Sequence, residues 1–248
     1  MMIVKKVCSF KKKFKDLFES SHSNLSIMYS LPHPHNLLVN PPAKDAFKNT
    51  VKKAIVTYWE NLLKEESSGL VSLRYFGPVH SDLQRPHYVW MTAGNNPYET
   101  HKSIIVVKML SGRYRTDYMK RHWSTENKDG FCTAQTCQKT LGTLEHLLVV
   151  CPAVETIRSK MKVVILEKFK EKLVPLYEFA LKIFQDSPET QTQFLLDPLN
   201  FPYVAQLVYT YGDSLLNMIC YCTRTFIYSI HKKKTALEVN GRMLVHHN

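Results

Sequence analysis

Apolar residues recur every three or four positions along most of this chain, with charged residues between them, and that period predicts helices. After Pro41-Pro42, Phe47, Val51, Ile55 or Ala54, Tyr58 and Leu62 form one stripe, and Ser67-Ser68-Gly69 marks its end. Asn96-Pro97 with Glu99 is a helix start: Asn caps, Pro suits the first helical position, and Glu can reach back to the cap. That helix should run to Gly112, and a second should begin near Arg113, with Tyr114, Tyr118 and His122 on one face. Arg113, Asp117, Lys120 and Arg121 fall on another face. Residues 153–185 predict one long helix, or two joined at Pro175. The segment "SPETQTQFLLDPLNFPYVAQ" reads as a proline-punctuated connection, residues 203–234 as a core helix with a lysine-rich end, and the tail after it as frayed. The run "GPVHSDLQRPHYVWMTAGNN" reads as irregular. The fold class expected is mainly α: an irregular helical protein with a small zinc-bound loop-helix unit. Residues 1–43 read as a basic N-terminal arm and linker, and 44–248 as a helical domain.

Composition agrees with this picture and adds charge to it. The 248 residues are 44% hydrophobic with only 8 glycines, which suits a globular helical chain better than a turn-rich β protein. Lys and Arg number 33 against 21 acids, a formal +12, and such a surface attracts polyanions such as nucleic acid. Between residues 100 and 172 there are 14 basic residues and 7 acids. No apolar run is long enough for a signal peptide or a membrane span, so an intracellular, reduced location in nucleus or cytoplasm is expected, with no membrane partner.

The cysteines then gain weight. Cys132, Cys137, His146 and Cys151 lie within "FCTAQTCQKTLGTLEHLLVVCP", and clustered cysteines in a reducing compartment are more often metal ligands than disulfides. Zinc takes four thiolate or imidazole donors in a tetrahedron. Gly142 permits a turn between the two halves, Thr143 is a candidate cap, and a short helix would carry His146 with Cys151 at its end before Pro152. The competing readings are three small buried thiols with a core histidine, or a disulfide. Three cysteines and one histidine would fill the tetrahedron, which makes a zinc site here structural rather than catalytic.

The stretch "SIIVVKMLSGRYRTDYMKRHW" followed by "FCTAQTCQKTLGTLEHLLVVCPAV" resembles the C-terminal region of non-LTR (LINE-type) retrotransposon polyproteins, over roughly residues 97–155. In that family a helical segment with a Leu, Ser or Thr, Gly, Arg motif precedes a Cys-Cys-His-Cys zinc knuckle. The resemblance implies a zinc-binding module downstream of a reverse transcriptase, contacting template RNA or target DNA, with Cys132, Cys137, His146 and Cys151 matching the knuckle ligands. The chain departs from the family in lacking a paired-aspartate polymerase motif, an endonuclease pattern after the knuckle, and a ribonuclease H spread of acids. It therefore looks like a detached tail of such a polyprotein.

Two functions compete on these residues. One is a non-catalytic module that binds RNA or single-stranded DNA through Arg113, Arg115, Lys120 and Arg121, with Tyr114, Tyr118 and Trp123 reading first as core and only second as stacking platforms. The other is a structural remnant that docks on protein, such as a polymerase, without binding nucleic acid. No enzyme is expected: the histidines at 33, 35, 231, 246 and 247 have no partner at motif spacing, and Cys220 and Cys222 sit in an apolar helix.

Overall fold

A computed structural model describes residues 39–70, 73–77, 87–122, 129–137 and 139–245. Among them the chain is mainly helical, as its periodicity predicts, and an isolated bridge between Phe131 and Leu141 is the one pairing of extended backbone. The lysine-rich lead, most of the proline-rich segment after it, Trp123, His246 and His247 lie outside the described residues.

The chain divides into two compact units, Met1–Glu66 with Ser81–Arg85 and Ser67–His80 with Pro86–Asn248. Helix α1 (Lys44–Gly69) begins after the two prolines. Its most covered side chain is Ala54, while Ile55 and Trp59 are exposed, so the stripe runs through Ala54.

The second unit is built around its last helix. In chain order it contains α2 (Tyr88–Met91), α3 (Pro97–Leu110), α4 (Asp117–Lys120), α5 (Glu155–Lys172), α6 (Val174–Ile183), α7 (Pro188–Leu196), α8 (Pro202–Tyr211) and α9 (Asp213–Val245). Helices α3, α5, α7 and α8 all pack on α9. Leu215, Ile219, Cys222, Phe226 and Ile230 give α9 a buried stripe at helical spacing. Against it lie Met109 of α3, Ile165 and Phe169 of α5, and Phe194 of α7, all in one core. Four other phenylalanines surround the ring of Phe194 edge-on, with centroids 5.8–6.4 Å away.

Asn96 caps α3 as its sequence predicts, accepting from the amides of Tyr98 at 2.9 Å and Glu99 at 3.4 Å. Glu99 does not turn back to the cap. Its carboxylate instead holds two buried cations, Lys102 at 2.7 Å and Arg224 at 3.0 Å. Burying those charges would be costly without such a partner, so Glu99 is drawn inward. The helix expected from Arg113 is only one turn: Thr116 accepts from Met119 N at 3.2 Å, so Asp117 is the first helical residue. Residues 155–183 form two helices, separated by extended Leu173 just before Pro175.

The larger surprise is the proline-punctuated segment, which is helix rather than connection. Pro188 and Pro202 each stand in the first turn of a helix, where a missing N–H costs nothing, and Ser187 accepts from Thr190 N at 3.2 Å. Gly212, with φ of 75°, divides α8 from α9. Beyond it α9 continues through the tail expected to fray, to Val245.

Candidate metal centre

Asp117 organises the first half of the site. Its carboxylate accepts from the amide and hydroxyl of Thr133, at 3.0 and 3.1 Å, and so fixes the backbone next to Cys132. A loop closes from there. Gly142 N donates to Gly130 O at 2.9 Å and Cys132 N to Thr140 O at 2.8 Å, while Tyr118 N donates to Gly142 O at 3.0 Å. Within the loop a tight turn at Gln135–Cys137 carries Cys137, and Lys139 takes the left-handed conformation at φ of 59°.

The second half is a short helix. Thr143 Oγ1 accepts from His146 N at 3.2 Å, which is the cap its sequence predicts. From His146 to Val150 the backbone widens, and Cys151 N reaches back five residues to His146 O at 2.6 Å. Such a wide turn re-aims side chains and is frequent at functional sites. Leu147 and Leu148 bury the outer side of this turn in the core, so the helix is anchored while His146 faces the loop.

The four side chains meet. The Cys132, Cys137 and Cys151 sulfurs and a His146 ring nitrogen lie within 4.8 Å of one another. Cys137 Sγ is 3.4 Å and Cys132 Sγ 4.0 Å from Cys151 Sγ, and all three are free thiols. His146 is only 5% exposed, and neither of its ring nitrogens meets the geometry of a hydrogen bond; one of them lies within 4.8 Å of the three sulfurs. A buried imidazole in that state carries a desolvation cost of about 1–3 kcal/mol that a bound ion would remove. The hydrogen bond to Cys151 and burial push the Cys132 thiol up to about 12, while that same bond lowers Cys151. Three thiolates so close together, two of them buried, repel one another, so the set suits a cation that can hold them deprotonated. The four residues therefore form a possible metal site.

Three neighbours that their spacing did not single out hold this site together. Arg158 of α5 is buried and donates to the Cys151 carbonyl at 2.8 Å while pairing with Glu155. Asp117 grips the Thr133 turn as described. Glu145, next to His146, is buried and accepts from Arg74 and Tyr75 Oη. Their local traces in the sequence are Glu155 three residues before Arg158 and Lys120 three after Asp117; the contacts of Asp117 with Thr133 and of Glu145 with Arg74 and Tyr75 are not local.

The basic residues expected to meet nucleic acid divide into two groups. Arg113, Arg115 and Arg121 are exposed. Arg121 lies over the Tyr118 ring at 3.8 Å and donates to Tyr118 Oη at 2.6 Å. Lys120 is half-buried and bound to Glu238 at 2.6 Å and Asp117 at 3.2 Å, so its charge is largely neutralised. Tyr114 is buried, as expected of a core aromatic, but from the segment before α4 rather than from a helix face, with its hydroxyl 2.9 Å from His231 Nδ1. Cys220 and Cys222 are buried in α9, and burial pushes their thiols up to about 12 and about 11. Among the described residues no helix is long and apolar enough to cross a membrane. The chain matches no protein-family model, no curated protein and no solved structure.

Proposed function

We propose that this chain is a zinc-stapled, non-catalytic module that binds RNA or single-stranded DNA, of the kind found at the C-terminus of LINE-type reverse transcriptases. The observation that carries the zinc reading is the buried, unpartnered His146 imidazole facing three free thiols. Zinc prefers this donor set, and tetrahedral bonds of about 2.3 Å to sulfur would separate the thiolates by about 3.8 Å. The 3.4 and 4.0 Å separations bracket that spacing. Four protein donors leave no position for water, so the ion is a staple: it ties the loop carrying Cys132 and Cys137 to the short helix carrying His146 and Cys151.

Nucleic-acid binding rests on Arg113, Arg115 and Arg121, exposed cations on the segment that leads into the metal loop. Asp117 lies between them and binds that loop, so the ion and the cations share one support. Zinc content of the purified, reduced chain tests the first half, with a ratio near one expected and a ratio near zero overturning it. Binding of single-stranded oligonucleotides in graded salt tests the second. Arg113→Ala with Arg121→Ala should weaken binding and flatten the salt slope by about 0.7 per lost phosphate contact. An unchanged slope removes those residues from the interface.

A second reading has its own observation. Tyr209 is 92% exposed on α8, and Tyr203 and Tyr211 of the same helix are also exposed, aromatic surface suited to protein contact. Zinc binding without salt-dependent oligonucleotide binding would favour that interaction remnant.

A further inference from the structure

Helices α3 and α9 pack side by side, and their outer seam carries a series of rings with cations at both ends of it. Lys102, buried to its ammonium, lies 4.5 Å from the centroid of Tyr98 and 5.2 Å from that of Tyr221. Lys168 of α5 approaches the same Tyr221 ring at 4.9 Å. Further along, Tyr98 meets Tyr228 edge-on at 5.7 Å, and Tyr228 meets His101 at 5.6 Å. Tyr228 also contacts His231 at 6.0 Å, and His231 leads to Tyr114. Lys234 closes the series, 5.8 Å from the Tyr114 ring and donating to the Arg115 carbonyl at 3.2 Å.

The outer members of this series reach solvent. Tyr98 is 54% and Tyr221 43% exposed, and His101, Lys108 and Lys232 are exposed further along the same two helices. Acids are nearly absent from the two helices. Glu99 is committed to Lys102 and Arg224, Glu238 to Lys120 and Lys234, and Asp213 stands at the far N-terminus of α9. Lys102 is locked by Glu99 at 2.7 Å and by Thr225 Oγ1 at 3.3 Å, so the two tyrosines on either side of it are held rather than free to swing.

We propose that this seam is a stacking track for single-stranded nucleic acid, with Tyr98 and Tyr221 as base platforms and Lys108, Lys232 and Lys168 meeting the phosphates. Exposed rings spaced between cations fit an unpaired strand, whose bases offer π-faces and whose backbone offers regular negative charge. A duplex hides its base faces and would use only the cations. The seam ends at the Arg115 backbone, so the track continues into the arginine segment before the metal loop. This inference rests on the nucleic-acid reading above and gives it a surface and a preference for single strands.

The test uses the full chain and fluorescent 20-nucleotide oligo(U) and oligo(dT), with a duplex of equal length, by anisotropy across a salt series. Tyr98→Ala with Tyr221→Ala should raise the Kd for single strands at least tenfold and leave the salt slope unchanged. Tyr98→Phe with Tyr221→Phe keeps both rings and should bind within about twofold of wild type. Circular dichroism and melting check that each variant is folded. Wild-type affinity in the double alanine variant overturns the track and leaves the arginine interface standing, as does equal binding of duplex and single strand by the wild type. A wild-type chain that binds neither strand at low salt overturns both readings.

Discussion

At the level of single residues the candidate metal centre is defined by crowding. A side chain at Gly142 would begin 2.5 Å from Asp117 Cβ and 3.3 Å from the Cys132 backbone. Neither is the loose end of a flexible side chain, so Gly142→Ala must push the loop away from Asp117. The expected cost is about 1–3 kcal/mol, together with reduced metal content, read by thermal melting and metal analysis. Cys137→Ser removes a ligand without adding bulk. It should abolish stoichiometric zinc binding and loosen the region between residues 112 and 152; unchanged metal content and melting would refute the site. His146→Ala separates the two explanations of the buried imidazole. If His146 is a ligand, metal is lost; if it is a core histidine, the variant is destabilised with its zinc-to-protein ratio intact. The four candidate ligands were legible in the sequence because their chemistry is local, with Gly142 and Thr143 announcing the turn and cap between the two halves. Arg158, Asp117 and Glu145 were not, because what they do depends on partners that only the packed chain supplies.

At the level of elements, periodicity located α1, α3, α5 and α6, overran the single turn at Asp117–Lys120, missed short α2 and the break at Gly212, and misread two larger features. Prolines at 188 and 202 suggest interruption, whereas each stands where a helix tolerates proline best. The price of that misreading is the core itself: Phe194, Leu195 and Leu196 sit on α7, inside the supposed connection, and are fully buried. Phe194→Ala should therefore cost about 3–5 kcal/mol in chemical denaturation, a large share of the stability of a domain this size. The other misread feature is the tail of α9, whose length is explained by what it holds. Glu238 pairs with Lys120 of α4 and with Lys234. Burial opposes its charged form, but hydrogen bonds from the two lysines outweigh it and lower Glu238 from its ordinary 4.5. A carboxylate lowered by folding stabilises above its unfolded value, and that contribution disappears as pH falls below 4.5 through the folded value. At pH 7 Glu238→Gln should cost about 0.5–1 kcal/mol, since solvent screens this half-exposed group. The gap from wild type should close in melts taken progressively below 4.5. A gap that persists in strong acid would mean the tail is held by packing instead.

For the whole second unit, a bound ion would carry only part of the stability. Two of the candidate ligands ride on a turn whose Leu147 and Leu148 belong to the main core, and Arg158 fastens Cys151 to α5. The other two ride on a loop held by Asp117, a few backbone bonds and the candidate ion. The helical core of α3, α5, α7 and α9 needs no metal to bury its side chains, unlike a small finger that folds only when loaded. Removal of zinc should therefore act unevenly. In hydrogen exchange after chelation, amides of residues 130–142 should lose protection first and most, those of 144–151 less, and those of α5, α7 and α9 little. Helical circular dichroism should fall only slightly, and the melting temperature should rise again with added zinc, because a ligand that binds only the folded form stabilises it in proportion to ln(1 + [L]/Kd). Global loss of helicity on chelation would show instead that the ion holds the core together, and that the helices around α9 are marginal without it. Protection unchanged everywhere would show that the loop is closed by its hydrogen bonds alone. Between these outcomes lies the arrangement expected here, a self-sufficient helical body with one metal-dependent loop. In that arrangement Arg113 and Arg115 stand at the joint between the two parts, where metal occupancy would set their spacing to any strand on the α3–α9 seam.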